Sequence, residues 1–432
     1  MVIAVITTLG FLYFRGAPTD TTEGDTGGTN FFSQFNPFGA SPTTPPPVTP
    51  PVDISGTGPD TGEIADVKLR KISSMAVAGY GVYQKERVKE TTPPSLPLSG
   101  EENSAPPAKG GSGGLKTEFA PAVRYVEKAQ GIIYQTFADK IQEQKFSKTV
   151  IPKVHDSYFG NRGGSVVMRY LKADDRTIET FVGTLPKEVV GKDSDGSNEI
   201  KGAFLPVNIK DVSVSPDSSK IFYLFIAGDN VVGITSDLLT NKKVQVFDSP
   251  FTEWNSFWPN SKIITLTTKP SALVPGHMYA LDISNKNLNK VLGDINGLTT
   301  LTSPNGKLIL YGDSNLSMNI YNTGTRVSNA LGIRTLPEKC VWGKGNDVVY
   351  CAVPKSINLG LYPDSWYQGE MSFSDQLWKI NVADGNGTII SDPITVTGGE
   401  DVDGVKLSLD EAENYLFFIN KKDNFLWELV LK

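Results

Sequence analysis

Histidine and cysteine are nearly missing from this chain, with two of each in 432 residues. His155 and His277 stand far apart, and no Gly-x-Ser-x-Gly elbow accompanies them, so a Ser-His-Asp hydrolase has no legible site. Both read as structural histidines. Two cysteines without other ligands nearby do not build a zinc site. No Gly-x-Gly-x-x-Gly or Walker pattern occurs, which removes the phosphate cradle that nucleotide binding needs. No block of five Lys or Arg occurs and the net charge is −6, which argues against a nucleic-acid partner. Helical periodicity is nearly absent too; only Phe137–Gln144 could form one short turn. Nothing here calls for a cofactor.

Long apolar runs are equally scarce. The one at the start, Met1–Phe14, spans only ~21 Å as a helix against a hydrocarbon core of ~30 Å. It is followed at once by polar chain that offers no core to bury it. We read residues 1–15 as a membrane anchor whose first residues lie before this start site, with a cleaved signal segment as the alternative. From Gly16 to Asp66 there is no Lys or Arg at all, against seven acidic residues and many Thr, Pro and Gly. Such a stretch cannot bury enough apolar surface to fold, and its lack of positive charge fits translocation. Residues 16–65 are therefore expected to be a disordered stalk, placing the remainder outside the cytoplasm.

What the chain does have is a repeated turn. It reads Ser215-Pro216-Asp217-Ser218-Ser219-Lys220-Ile221-Phe222-Tyr223, then Trp258-Pro259-Asn260-Ser261-Lys262-Ile263-Ile264, then Ser303-Pro304-Asn305-Gly306-Lys307-Leu308-Ile309. Weaker copies begin at Trp342 and Ser408. Each is a Pro/Asp/Asn/Gly turn before an apolar β-run, the signature of a hairpin. Spacings of 43, 45, 39 and 66 residues fit the period of propeller blades, except the last. Residues 66–432 are thus expected to be an all-β propeller. Seven blades is the best count, with six or eight as alternatives because the second blade is blurred. The last blade is one strand short at Lys432. The alternating segment Val67–Ile72 can supply that strand and close the ring.

The Ser-Pro-Asp-x-x-Lys-Ile-x-Tyr pattern at Ser215–Tyr223, echoed at Ser303–Tyr311, resembles the WD40-like repeat of TolB-type β-propellers, without the Trp-Asp dipeptide of true WD40 repeats. The resemblance implies an extracytoplasmic protein-binding platform. It is specific for fold and nearly silent on chemistry, because the motif is a structural turn. The anchor and stalk set this chain apart from a soluble periplasmic protein.

Two departures from the rhythm stand out. Residues 84–120 carry Pro-Pro pairs and a Gly-rich run and are expected to be a disordered insertion in the first blade. Residues 354–375 interrupt the sixth blade with Tyr362, Asp364, Trp366, Tyr367, Met371 and Phe373. Such aromatic loops tend to be functional. Tyr362, Asp364, Trp366 and Tyr367, with Glu253 from the same face, are the candidate binding residues for a protein or a cell-envelope polymer. The other reading of Trp366 and Tyr367 is a cap folded over the blade, and Trp254 reads as core. Cys340 and Cys351 flank the Gly345-Asn346 turn symmetrically and so face each other, as a disulfide requires. A weak calcium candidate is Asp193, Asp195 and Asn198. The leading expectation is a non-enzymatic, membrane-tethered binding platform with a monomeric head. The alternative is an envelope polysaccharide hydrolase or lyase using Glu253, Asp401 or Asp403 at the channel mouth, two of them close together and unpaired with Lys or Arg.

Overall fold

Ser215 and Ser303 show why the repeated motif turns the chain. The Ser215 hydroxyl accepts the Lys220 N–H at 2.9 Å and donates to Asp217 at 2.6 Å. Asp217 then accepts the Ser219 N–H at 3.1 Å. Ser303 repeats this with Leu308 at 3.0 Å and Asn305 at 2.8 Å. Each turn passes through one left-handed residue, Ser218 (φ 55°) or Gly306 (φ 73°), of which only Gly adopts that conformation without strain. The weaker copies sit differently from expectation. Their closing bonds run from Gly343 N–H to Val348 and from Asp410 N–H to Tyr415, one and two residues beyond Trp342 and Ser408. At Asp410 a carboxylate replaces the serine, accepting the Asn414 and Tyr415 N–H groups at 2.6 and 2.7 Å.

The structure is a computed structural model that describes residues 68–89, 116–192 and 194–432. The expected anchor 1–15, the stalk 16–65, most of the 84–120 insertion and Asp193 lie outside the described residues. The described chain begins with β1 (Leu69–Lys71). The first blade is β2 (Val77–Val88), β3 (Thr117–Glu127), β4 (Ile133–Phe137) and β5 (Gln144–Lys145). The second is β6 (Val154–Gly160), β7 (Ser165–Leu171), β8 (Ile178–Thr184) and β9 (Lys201–Phe204). The third is β10 (Asp211–Val214), β11 (Lys220–Ala227), β12 (Asn230–Asp237) and β13 (Lys243–Ser249). The fourth is β14 (Trp254–Phe257), β15 (Ile263–Thr268), β16 (Pro275–Asp282) and β17 (Leu288–Asn296). The fifth is β18 (Thr299–Thr302), β19 (Leu308–Gly312), β20 (Ser317–Asn322) and β21 (Val327–Arg334). The sixth is β22 (Cys340–Trp342), β23 (Val348–Pro354), β24 (Asp375–Asn381) and β25 (Gly387–Ser391). The seventh is β26 (Gly404–Leu409), β27 (Tyr415–Asn420) and β28 (Leu426–Val430), completed by β1. All seven are four-stranded and antiparallel, so the count is seven.

Two expectations about local structure need correction. The first-blade loop is shorter than 84–120, because β2 and β3 stay in register from Gln84↔Pro121 to Val88↔Thr117. Charge pairing holds this extension, with Arg87 opposite Glu118 and within 2.6 Å of Asp139. Phe137–Gln144 forms no helix; the short α-helices among the described residues are α1 (Asp364–Tyr367) and α2 (Pro393–Thr397).

Second strands are buried on both faces, as blade stacking requires. Ile221, Phe222, Tyr223 and Leu224 of β11 are almost wholly inaccessible. Inner strands crowd near the axis; a Cβ on Gly79 would lie 2.0 Å from the Ser157 carbonyl of the next blade. Cys340 and Cys351 are direct cross-strand partners, 4.1 Å apart at Cα, and form the expected disulfide.

Closure rests on three residues. Leu69 pairs with Leu429, Arg70 with Glu428 and Lys71 with Trp427. Leu69 is buried among Trp427, Leu429, Phe418 and Ala352, joining the seventh blade to the sixth. Arg70 reaches Glu428 at 2.8 Å, and Glu428 is fully buried. Burial drives the Glu428 pKa up to about 7, against the pull of Arg70.

Leu69→Ala should cost about 2–5 kcal/mol in urea unfolding, the range for an unfilled core site. Loss below 0.5 kcal/mol would show that β1 does not carry closure. Glu428 also sets a pH dependence. Its folded pKa of about 7 lies above its unfolded value of roughly 4.3, so the folded state holds the extra proton between them. That contribution is complete below the unfolded pKa and disappears as pH rises to 7. Stability should therefore decline across this window by up to about 1.4 kcal/mol per pH unit from this group. Glu428→Gln should flatten the decline, as read from urea midpoints at pH 5, 6 and 7.

Candidate functional site

In a propeller the loops joining second to third strands and outer to inner strands share one face. The 20 residues between β23 and β24 belong to that face and do not cover it loosely. Their anchor is Lys339, in the 3-10 turn Pro337–Lys339 just before β22. Its ammonium is fully buried between Asp375, at 2.7 Å, and Asp403, both also fully buried. Asp375 opens β24 and Asp403 immediately precedes β26, so one cation ties the insertion's end to two blades. Asp403 also accepts the Trp366 indole N–H at 2.9 Å and the Phe373 N–H at 3.0 Å. Burial pushes the Asp403 pKa up, but Lys339 and these donors outweigh it and hold the carboxyl below its ordinary range. Asp375 goes the other way, up to about 6, because burial and the Asp403 charge exceed the help from Lys339.

The candidate aromatics build on this anchor. Trp366 and Phe373 stack with centroids 6.3 Å apart, Phe373 and Tyr362 at 5.7 Å, and the Lys339 ammonium lies 5.1 Å from the Phe373 centroid. Tyr362 and Trp366 are buried, so they form a cap over the blade and are not an exposed binding patch. Asp364 accepts the Ala272 N–H at 2.6 Å, clasping the insertion to the fourth blade's loop. Tyr367 is half-exposed, and its hydroxyl donates to Glu338. What the insertion shows to solvent instead is Leu359 and Leu361, at 101% and 54% relative exposure. Leu273 and Val274, beside Ala272, are exposed at 71% and 59%.

Beneath this face the inner strands enclose a chamber of about 640 Å³. Hydroxyl side chains and apolar residues line it, with Tyr80 and Tyr158 on the wall and two carboxylates, Asp211 and Glu338. Asp211 accepts the Ser256 N–H, and Glu338 accepts from Tyr367. Neither forms an ion pair among the described residues. Burial, less the Tyr367 hydrogen bond and reinforced by the Asp211 charge, takes Glu338 up to about 6. Asp211 is raised as well, by burial against the opposing Ser256 donors. Lys406, on the wall, pairs with Asp156 at 2.6 Å, and Arg169, outside the lining, reaches the same carboxylate at 3.3 Å.

The remaining candidates do not converge. Glu253 is paired with Lys210 at 3.3 Å and Lys269 at 2.6 Å. Asp401 pairs with Lys422, and Asp403 with Lys339. None of these three has the unpaired state expected of a channel-mouth acid. Trp254 is core, edge-on to Phe247 at 5.8 Å. Asp195 accepts the Ser197 N–H at 2.9 Å within its own turn, and the Asn198 amide donates to the Phe146 carbonyl at 2.8 Å, tying that turn to the first blade's end. Among the described residues no group of three or more His, Cys, Asp and Glu side chains could hold a metal. His155 is exposed, and the His277 ring accepts the Asp294 N–H at 3.4 Å.

No family model matches the sequence, and no curated protein matches it. Solved structures are similar in fold. TolB from Acinetobacter baumannii aligns over 71% of this chain and 61% of its own, with 13% identity and a TM-score of 0.40. The chain thus spans less than two thirds of that protein. A structure titled oligogalacturonate lyase in complex with manganese aligns over 72% of this chain and 85% of its own, with 10% identity and a TM-score of 0.46. Both likenesses concern the fold alone.

Lys339, Asp375, Asp211 and Glu338 are absent from the sequence-derived candidates. The available signal was positional: Asp211 and Asp375 are the first residues of strands, and Glu338 and Lys339 directly precede one. Lys339→Met should leave two acids buried without a counter-charge and cost about 3–5 kcal/mol. Limited proteolysis should then cut within residues 355–374 faster than in the parent. Unchanged stability and cleavage would show that the network does not fasten the insertion.

Proposed function

We propose that this chain is a non-enzymatic, membrane-tethered, extracytoplasmic binding platform that docks a protein through the insertion face of its sixth blade. The observation that carries this reading is the contrast within one short segment. Its aromatic side is fixed by Lys339, Asp403 and the Ala272 contact, while Leu359 and Leu361 are held in solvent. A tightly anchored segment that exposes large apolar side chains, near Leu273 and Val274, has the character of a docking surface. The contact residues are therefore leucines, and the aromatics are their foundation. The buried disulfide supports an oxidising compartment, in keeping with the anchor-and-stalk reading of the N-terminus.

Leu359→Asp together with Leu361→Asp should abolish capture of the partner from native membrane extracts. The melting temperature should stay within about 2 °C, since neither side chain contributes to the core. Retained capture by a folded double variant sinks the proposal.

A second reading, a polysaccharide hydrolase or lyase, is favoured by one observation: Asp211 and Glu338 line the chamber without a Lys or Arg partner. It predicts release of new reducing ends from envelope polysaccharide by the parent and at least a hundredfold less by Glu338→Gln. Absence of release by the parent removes it.

A further inference from the structure

The chamber inside the ring has a charge imbalance that the docking face does not share. The one cation that lines it among the described residues, Lys406, is paired with Asp156 at 2.6 Å; Arg169, behind the wall, reaches the same carboxylate at 3.3 Å. Asp211 and Glu338 form no ion pair among the described residues; their direct donors are the Ser256 backbone N–H and the Tyr367 hydroxyl, with the Arg169 charge also acting on Asp211. Two of the lining residues also carry buried hydroxyls without a partner. The hydroxyls of Ser157 and Thr299, 3% and 2% exposed, line the chamber and have no hydrogen-bond partner in the protein. A buried polar atom without a partner carries a free-energy cost that a ligand donor relieves. Much of the remaining wall is apolar, with Val212, Phe257 and Leu301.

We propose that the chamber binds an organic ammonium: a protonated amine on an apolar body, its N–H groups shared among Asp211, Glu338 and the Ser157 and Thr299 hydroxyls. An ammonium has donors only and no acceptor, which matches a site made of acceptors. An anion would meet two carboxylates that form no ion pair among the described residues. A neutral polyol would satisfy the hydroxyls and leave both charges without a counter-ion. A hard metal ion needs six or more oxygen ligands, and no cluster of three acidic, His or Cys side chains exists among the described residues. The volume of about 640 Å³ is that of a small-molecule site. The Tyr80 ring adds aromatic surface to the wall, while the Tyr158 ring already carries the Lys406 ammonium at 5.8 Å.

The test uses the full chain and three probes of one length: hexylamine, hexanol and hexanoate, titrated calorimetrically at pH 7.5. Hexylamine should bind saturably with one site and at least about tenfold more tightly than hexanol, with hexanoate weakest. Asp211→Asn with Glu338→Gln should reduce hexylamine affinity at least about tenfold, with folding checked by circular dichroism. An arm on the parent protein does not depend on the variants folding. Hexylamine stays protonated from pH 7.5 to 5, whereas Glu338, with a pKa of about 6, takes up a proton, so affinity should fall across that range. The groups facing Glu338 and Asp211 are Tyr367, Ser256, Arg169 and each other. No saturable hexylamine binding, equal or tighter binding of hexanol or hexanoate, or affinity that does not drop with pH would each overturn the assignment. Loss of partner capture by the Leu359 and Leu361 variants leaves this chamber intact, so the two proposals fail separately.

Discussion

A ring of blades is stable only as a ring, because an open arc would leave two apolar blade faces and a free strand edge in water. That requirement falls here on a strand of three residues. Leu69 fills the interface between the last two blades, and Arg70 brings a guanidinium to a glutamate that is otherwise without water. The Arg70–Glu428 pair does not make Glu428 an ordinary surface carboxylate, since burial still dominates its ionisation. Such a pair adds specificity of register more than net stability, because a slip of β1 that brought Leu69 opposite Glu428 would leave that buried acid against an apolar partner. Leu69 supplies the energy and Arg70 the alignment.

The sixth blade shows a second division of labour. One fully buried lysine serves two carboxylates, so the network carries an excess negative charge that the Trp366 indole, the Phe373 N–H and the Gly404 N–H stabilise. Dipoles that cannot reorient make this arrangement rigid. The insertion is consequently a fixed projection of the scaffold. Next to it, the disulfide ties β22 to β23 directly after Lys339, holding the strand that positions the cation.

Much of the architecture was legible because it is local and repeated. The Ser-Pro-Asp and Ser-Pro-Asn turns, the apolar second strands and the two facing cysteines each involve residues within a dozen positions of one another. The same logic found the closing strand, since a blade missing one strand can be recognised by counting. It misjudged the turns at Gly343 and Asp410, where Gly343 and a carboxylate occupy the serine position. It also misjudged residues 84–120, whose ends are charged and polar yet paired across the sheet. The site was harder to read. Trp366 and Tyr362 looked like binding residues because aromatic side chains in loops commonly are, and nothing nearby in sequence announced that Asp403 and Lys339 would bury them. Asp211 and Glu338 are separated by more than a hundred residues and meet only because inner strands converge on an axis.

The order of the strands has a mechanical corollary. The chain enters the propeller through β1, and everything before Lys68 is joined to the ring at that outermost edge. A pull on the preceding segment is therefore not spread over seven blades; it is delivered to three backbone pairings at the seam. The covalent link and the buried lysine lie one blade further in, beyond the first break. The point of attachment is thus also the place where the ring would begin to unzip, and its load limit is set by Leu69, Arg70 and Lys71, not by the large core behind them.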